Sequence, residues 1–388
     1  MKLLSKFGFS DFEQKIVIIT IAASFVLMIV FVAAHLFLQP KSDKPVKTIA
    51  ELIPQALSIQ SVTAQDIDAN KIVGVRYFES NDYESAIPYL QRVVALRSTD
   101  TYARSILADA LLEWGEYEKA MTEYDYLLAQ ELPDSLAGRT CARRAICQFY
   151  NKEQNESLNA LKQCAEQYPN TPEAFCFLGQ IEAMQEMPSN AALENLNKAI
   201  ALDSNYVEAW YQLARYYMDL KEYARAREYL LRAIDINPLH GKSQSRLGMV
   251  YFYLNNFDLA KKAYQTALAL NPLDFNTRYN LGEVYYSEND SVKAIREFKK
   301  TLEYNPGHVE ANFKLGLLLL ANGMTKEAII HLEQAAHNDK NNSRILIQLA
   351  VAYEKLGDKN KAFSIYQSIL EFDALNPVAQ QKVKLLLR

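Results

Sequence analysis

The sequence predicts an all-α solenoid of stacked helix pairs, and three observations carry that prediction. First, three 34-residue blocks follow one another from Val207 to His308 without insertion, with the same residue types at the same places. Their eighth positions hold Ala214, Gly248 and Gly282, and their twentieth Ala226, Ala260 and Ala294. Residues this small let two antiparallel helices approach closely. Second, bulky residues recur at positions 4, 7, 11 and 24, among them Tyr217, Tyr251 and Tyr285, then Leu230, Tyr264 and Phe298. They fill the space around the close contact. Third, Pro238, Pro272 and Pro306 stand at position 32, where proline stops the second helix.

This spacing resembles the tetratricopeptide repeat (TPR) family. The resemblance implies a right-handed superhelical solenoid. It also implies that the first helix of each pair, helix A, lines a concave surface chiefly through positions 2, 5, 6, 9, 12 and 13.

Taken in order, the chain begins with a short polar tail, 1–15. From Ile16 to Leu38 no residue is charged. At about 1.5 Å per residue such a run crosses a hydrocarbon core of roughly 30 Å. A cleavable signal peptide, with Val32-Ala33-Ala34 as its cleavage site, is the rival. Its apolar region is ordinarily only about 7–15 residues, so length favours an uncleaved transmembrane helix over 16–38. Orientation is a tie on flanking charge, with Lys2, Lys6 and Lys15 before the span and Lys41, Lys44 and Lys47 after it. The free amino terminus tips it toward N-in, which puts the remainder in the periplasm of a Gram-negative cell. Residues 39–66, with Pro40, Pro45 and Pro54, form a linker. Within it Ile49–Ile59 could fold as a short helix, though a plain tether is the simpler reading.

Nine repeats are expected at 67–100, 101–134, 138–171, 172–206, 207–240, 241–274, 275–308, 309–342 and 343–376. The third is degenerate, with Arg144 where an apolar residue is usual and Ser157 in place of alanine. The fourth carries one inserted residue near Met187-Pro188. These two irregular repeats mark an expected joint between two stacks. A capping helix follows at 377–388, with Val378, Val383 and Leu385–Leu387 inward and Gln380, Gln381, Lys382, Lys384 and Arg388 outward.

Composition narrows the function. A hydrophobic content of 49% with 24 Tyr and 17 Phe supplies a core and excludes a disordered chain. After Lys47 there are 36 basic and 43 acidic residues, so phosphate-backbone binding is not the main job. There is no glycine-rich phosphate loop, no nucleophile elbow and no HExxH. His240 and His308 sit at turns between repeats, and His331 and His337 are six apart on one helix, so they do not converge as ligands. Neither a metal, a cofactor nor catalysis is expected. Cys141, Cys147, Cys164 and Cys176 form no CxxC. Cys141 at position 4 and Cys164 at position 27 face each other in an antiparallel pair, which allows a disulfide. The simpler reading is four small core residues, and an oxidising compartment favours the bridge.

The groove is the better candidate for function. Reading helix A of the last five repeats at the groove positions gives Tyr211, Arg215 and Met218, then Arg246, Met249, Phe252 and Tyr253. Tyr279, Asn280 and Tyr286 follow, with Phe313, Lys314 and Leu317 beyond them. Aromatic and apolar side chains with interspersed cations suit an extended or helical peptide. The competing reading is that about half of them pack between neighbouring helices. Chaperone-binding members of the family hold a C-terminal carboxylate with Lys and Asn at positions 5 and 9. Asn at 6 of the next repeat, and Lys and Arg at 2 and 6 of the one after, complete that set. No three consecutive repeats supply it here, which disfavours a chaperone-tail adaptor and an import receptor of similar layout. In architecture the chain is similar to lipopolysaccharide assembly protein B and to anchored bacterial envelope scaffolds, including those of the spirochaete flagellar collar. The first ends in a cysteine-rich domain, and in this sequence no cysteine follows Cys176. The expectation is therefore a membrane-anchored scaffold, binding a peptide segment or other subunits of an envelope complex. The alternative is an adaptor regulating a membrane-bound enzyme.

Overall fold

Positions 8 and 24 meet face to face in the computed structural model of the chain, which describes residues 64–79, 82–185 and 187–387. A Cβ added to Gly282 would come within 2.6 Å of the Phe298 ring, and one added to Gly179 within 2.8 Å of the Ala192 carbonyl oxygen. The small residue is thus set by the spacing of the two helices. Position 20 is fully buried throughout, from Ala86 to Ala362. Ser157 fits there because its hydroxyl donates to the Ala145 carbonyl at 2.6 Å, so no buried donor is left unmet.

The chain divides into two compact units at Ala103/Arg104. In the first, α1 (Ala64–Glu79) and α2 (Tyr83–Leu96) pack through Ala69, Val73, Ala86 and Leu90, with Tyr77 stacked on Tyr89. Lys71 and Asp100 pair at 2.7 Å, and Arg97 and Asp68 at 2.8 Å. The chain is helical from Ala64, three residues ahead of the expected start.

In the second unit, antiparallel pairs follow in order. After α3 (Thr101–Trp114), which runs into it, come α4 (Tyr117–Leu128), α5 (Asp134–Tyr150) and α6 (Gln154–Gln167). Next are α7 (Pro172–Gln185), α8 (Asn190–Leu202), α9 (Val207–Asp219), α10 (Tyr223–Ile236), α11 (Gly241–Tyr253) and α12 (Phe257–Leu270). The unit ends with α13 (Phe275–Ser287), α14 (Ser291–Tyr304), α15 (Val309–Ala321), α16 (Thr325–Asn338), α17 (Ser343–Leu356), α18 (Lys359–Phe372) and α19 (Pro377–Leu386). Odd-numbered helices are the A helices and even-numbered ones the B helices. Among the described residues there is no strand.

In seven of the repeats the turn from helix A to helix B uses one left-handed residue, at position 15. Gly115, Lys152, Lys221, Asn255, Asn289, Gly323 and Gly357 all have positive φ there. The next residue often caps helix B; Asp290 and Asp358 each accept from the backbone N–H three residues on.

Three expectations change. The three extra residues between the second and third repeats, 135–137, are helical and fall in the first turn of the 17-residue α5. No joint falls in the third and fourth repeats, since one apolar core runs unbroken from Ala142 to Tyr216. The cap α19 buries Ala379 and packs Val383 and Leu386 inward, whereas Val378, Leu385 and Leu387 are exposed. Lys382, expected to point outward, reaches Glu354 at 2.7 Å. A ten-residue helix on the end of a stack has one covered stripe, too narrow for all five apolar residues.

The expected tail (1–15), membrane helix (16–38) and nearly all of the linker (39–66) lie outside the described residues. Among the described residues no helix is long and apolar enough to cross a membrane.

Candidate functional site

Helices α3, α5, α7, α9 and α11 are all A helices, and each sends side chains into one cavity of about 480 Å³. α3 contributes Leu112 and Glu113; α5 contributes Arg143, Ile146 and Tyr150; α7 contributes Phe177 and Gln180. Glu208, Tyr211, Gln212 and Arg215 come from α9 and Lys242 from α11, with Tyr206 just before α9. A second cavity of about 390 Å³ shares Tyr211 and Lys242 and runs on to Arg246, Met249, Asn276 and Asn280. The two form a single trough along successive A helices.

The floor of the trough is fixed by a buried charge cluster. Asp109, fully buried on α3, pairs with Arg143 at 2.7 Å and Arg139 at 2.9 Å and accepts from the Tyr124 hydroxyl at 2.7 Å. Burial resists charge on Arg143, but Asp109 more than offsets it and raises its pKa. Removing either partner of such a pair strands the other in low dielectric. Tyr150 stacks on Tyr117 with ring centres 5.2 Å apart and makes one wall. Lys242 is held protonated by Glu113 and Glu208 against the opposing effect of burial. Gln212 donates to Glu208 at 2.5 Å and accepts from Arg215 at 3.1 Å.

Of the thirteen groove residues read from sequence, Tyr211, Arg215, Arg246, Met249 and Asn280 line the trough. Tyr211 is buried to 7% exposure, so it shapes the trough rather than standing free in it. Phe313 is a correction: at 3% exposure it belongs to the core, covered by the Arg344 guanidinium 4.5 Å from its ring. Tyr279 is wedged between Phe298 and His308, with ring centres at 5.6 and 4.7 Å. Lys314 is engaged, pairing with Glu283 at 3.1 Å and lying over the Tyr286 ring. Tyr253 stacks on Tyr223 at 4.7 Å and stays 51% exposed, with Phe252 edge-on beside it. Met218 and Leu317 are half-buried against the core. The trough sits further toward the amino terminus than the last five repeats. Reading position 2, and starting from the second repeat, would have found Lys242, Glu208 and the α3–α7 residues.

Lys242 and Arg246 occupy positions 2 and 6 of the sixth repeat. Gln212 stands at position 6 of the fifth and Gln180 at position 9 of the fourth, where the carboxylate-holding pattern has asparagines. Position 5 of the fourth, a lysine in that pattern, is the buried Cys176. The arrangement is a partial, longer-armed version of that set.

Cys141 and Cys164 are joined by a disulfide with their Cα atoms 5.9 Å apart, whereas Cys147 and Cys176 are free and buried. Burial pushes the Cys147 thiol up to about 12 and that of Cys176 well above the usual range, so neither is a nucleophile at neutral pH. Three of the described histidines have structural partners. His240 bonds Ser243 Oγ at 2.7 Å, His308 accepts from the Ala311 amide, and His331 bonds Asn312. Among the described residues no group of three His, Cys, Asp or Glu side chains could hold a metal ion.

Paired helices in succession, with a polar and aromatic trough along one set, define a helical repeat protein. Models of the tetratricopeptide repeat match residues 77–144, 143–171, 207–240, 245–300, 289–343 and 319–386. The chain belongs to the tetratricopeptide repeat family. It is 23% identical over 171 residues to the human protein O-mannosyl-transferase TMTC1, a match covering 43% of this chain and 19% of that one. It therefore spans about a fifth of that relative's length. Among solved structures it is similar to the APC/C hetero-tetramer Cut9–Hcn1, with a TM-score of 0.59 and 17% identity over 75% of this chain and 56% of that one. Yeast Tom70 matches at a TM-score of 0.43 and 13% identity, over 87% of this chain and 90% of that one. The likeness to Cut9–Hcn1 shows the fold.

Proposed function

We propose that this protein is a membrane-anchored scaffold whose trough holds a carboxylate-bearing segment of a partner protein, in the assembly of a cell-envelope complex. One observation carries the reading. The trough presents Arg215 and Arg246, and among the described residues neither has a carboxylate within ion-pairing distance, whereas Lys242 already has Glu113 and Glu208 near it. Arg215 meets only the Gln212 amide, and Arg246 meets the Tyr211 hydroxyl at 3.5 Å and the Met249 sulfur at 3.8 Å. Guanidiniums left with neutral acceptors suit an incoming carboxylate, which forms charge-assisted bonds with them. Apolar residues of the segment would fit beside Ile146, Tyr150 and Phe177. The anchor is supported by the uncharged run Ile16–Leu38, and confinement to a membrane raises the effective concentration of partners in the same plane. The Cys141–Cys164 disulfide supports an extracytoplasmic array, since cytosolic thiols are kept reduced.

The test is capture from native membranes with the full chain carrying Lys242→Glu and Arg246→Glu. Each charge-assisted bond is worth about 1.5–3 kcal/mol, so recovery of the partner falls at least about tenfold. Ile330→Glu, on an exposed position of α16, leaves it unchanged. Equal recovery with all three proteins would sink the reading.

A further inference from the structure

We propose that the Cys141–Cys164 disulfide is a redox-sensitive staple behind the trough wall, and that its reduction frees α6 from α5. The inference rests on the trough being the binding surface, because α5 is the helix that brings Arg143, Ile146 and Tyr150 to it.

The register shows why the bridge matters in this repeat. At positions 4 and 27 three other repeats have a large apolar residue on helix A and an apolar residue on helix B: Phe175 with Ala199, Trp210 with Ala233, Leu346 with Ile369. The third repeat has two cysteines there. Once the bridge opens, two small thiols stand where those three repeats have an aromatic or a leucine. The fully buried residues of α6 are Ser157, Leu161 and Cys164, so the bridge holds one of the three. The other side of α5 is secured independently, by Arg143 on Asp109, Arg144 on Asp125 and Tyr150 on Tyr117. Loosening is therefore directed to the α5–α6 contact.

The chemistry balances with a dithiol as reductant. Cys141 is partly exposed and Cys164 is 1% exposed, so the attacking thiolate reaches the sulfur of Cys141. Attack breaks the S–S bond, and the electron pair leaves on Cys164 Sγ, which takes a proton. The second thiol of the reductant then attacks the mixed disulfide. It releases Cys141 as a thiol, and the reductant leaves as its own disulfide. Cys147 and Cys176 stay out of the exchange, buried and protonated.

Amide hydrogen exchange on the full chain, with and without a dithiol, tests this, with alkylation and mass measurement counting open thiols. Opening the bridge removes a 23-residue closure, and exchange across 154–167 and in the middle of α5 rises about a hundredfold while α13–α18 is unchanged. Cys147→Ala with Cys176→Ala retains the full response. Cys141→Leu with Cys164→Ala, which restores the packing of other repeats, shows none. A bridge that the dithiol cannot open, or one whose opening leaves exchange in α6 unchanged, overturns the proposal. The measurement needs no partner. An unaltered capture of partner by the charge-reversed trough would defeat the binding reading and leave this result standing.

Discussion

At the scale of the residue, two departures from the repeat pattern each find a partner on the neighbouring helix. Arg144 stands where an apolar residue is usual because Asp125 on α4 takes its guanidinium, and Ser157 replaces alanine because a carbonyl lies within reach. Neither partner is visible from the frame, since one is a side chain of the neighbouring helix and the other depends on how closely a backbone carbonyl approaches. The same limit hid Phe313: position alone does not say whether an aromatic on helix A faces the trough or the next helix. His240 gives a prediction at this scale. Burial, with Lys242 nearby, lowers its pKa to about 4, and burial also lowers His308 and His331. A histidine with a depressed folded pKa binds fewer protons folded than unfolded. Stability is therefore complete above the unfolded value of about 6.5 and falls as pH drops from there toward 4. Between pH 7 and pH 5 the His240 contribution is a loss of about 2 kcal/mol. In urea unfolding, His240→Asn should show a correspondingly smaller loss over that interval; an identical loss in both proteins would contradict a neutral buried imidazole.

At the scale of the element, helix pairs and their order were legible because the small and bulky positions follow from how closely two helices approach. Ends were less so. α5 extends over the three residues that looked inserted, because Asp134 at its first turn and an unbroken run of helix-compatible residues let it begin early. The turns were not foreseen as strained, yet Lys152 and Lys221 adopt the left-handed conformation that Gly323 and Gly357 accept freely. Gly357 isolates this effect, since an added Cβ there would touch nothing within 4 Å. Gly357→Ala should therefore lower stability by about 1 kcal/mol through φ alone. Lys221→Gly should not lower it. Thermal unfolding of the two variants checks both signs, and an unchanged midpoint for Gly357→Ala would show that the turn relaxes.

At the scale of the whole molecule, the architecture was written in the 34-residue period, while the site was not. The strongest repeats, Val207–His308, drew attention to their own aromatics, yet many of those fill gaps between helices. The trough instead gathers one or a few side chains from each of several A helices, and includes residues from the irregular third and fourth repeats. Such a site has no local motif, because its members are a full repeat apart in sequence and adjacent only once the helices stack. The central claim is that partners are held in this trough. Site-specific photocrosslinking in native membranes addresses it most directly, with a benzophenone side chain placed in turn at Tyr150, Phe177 and Asn280, and on exposed B-helix positions at Leu231, Val292 and Ile330. The account predicts one and the same partner adduct from the three trough positions and none from the B helices. Adducts confined to Leu231, Val292 or Ile330 would contradict it.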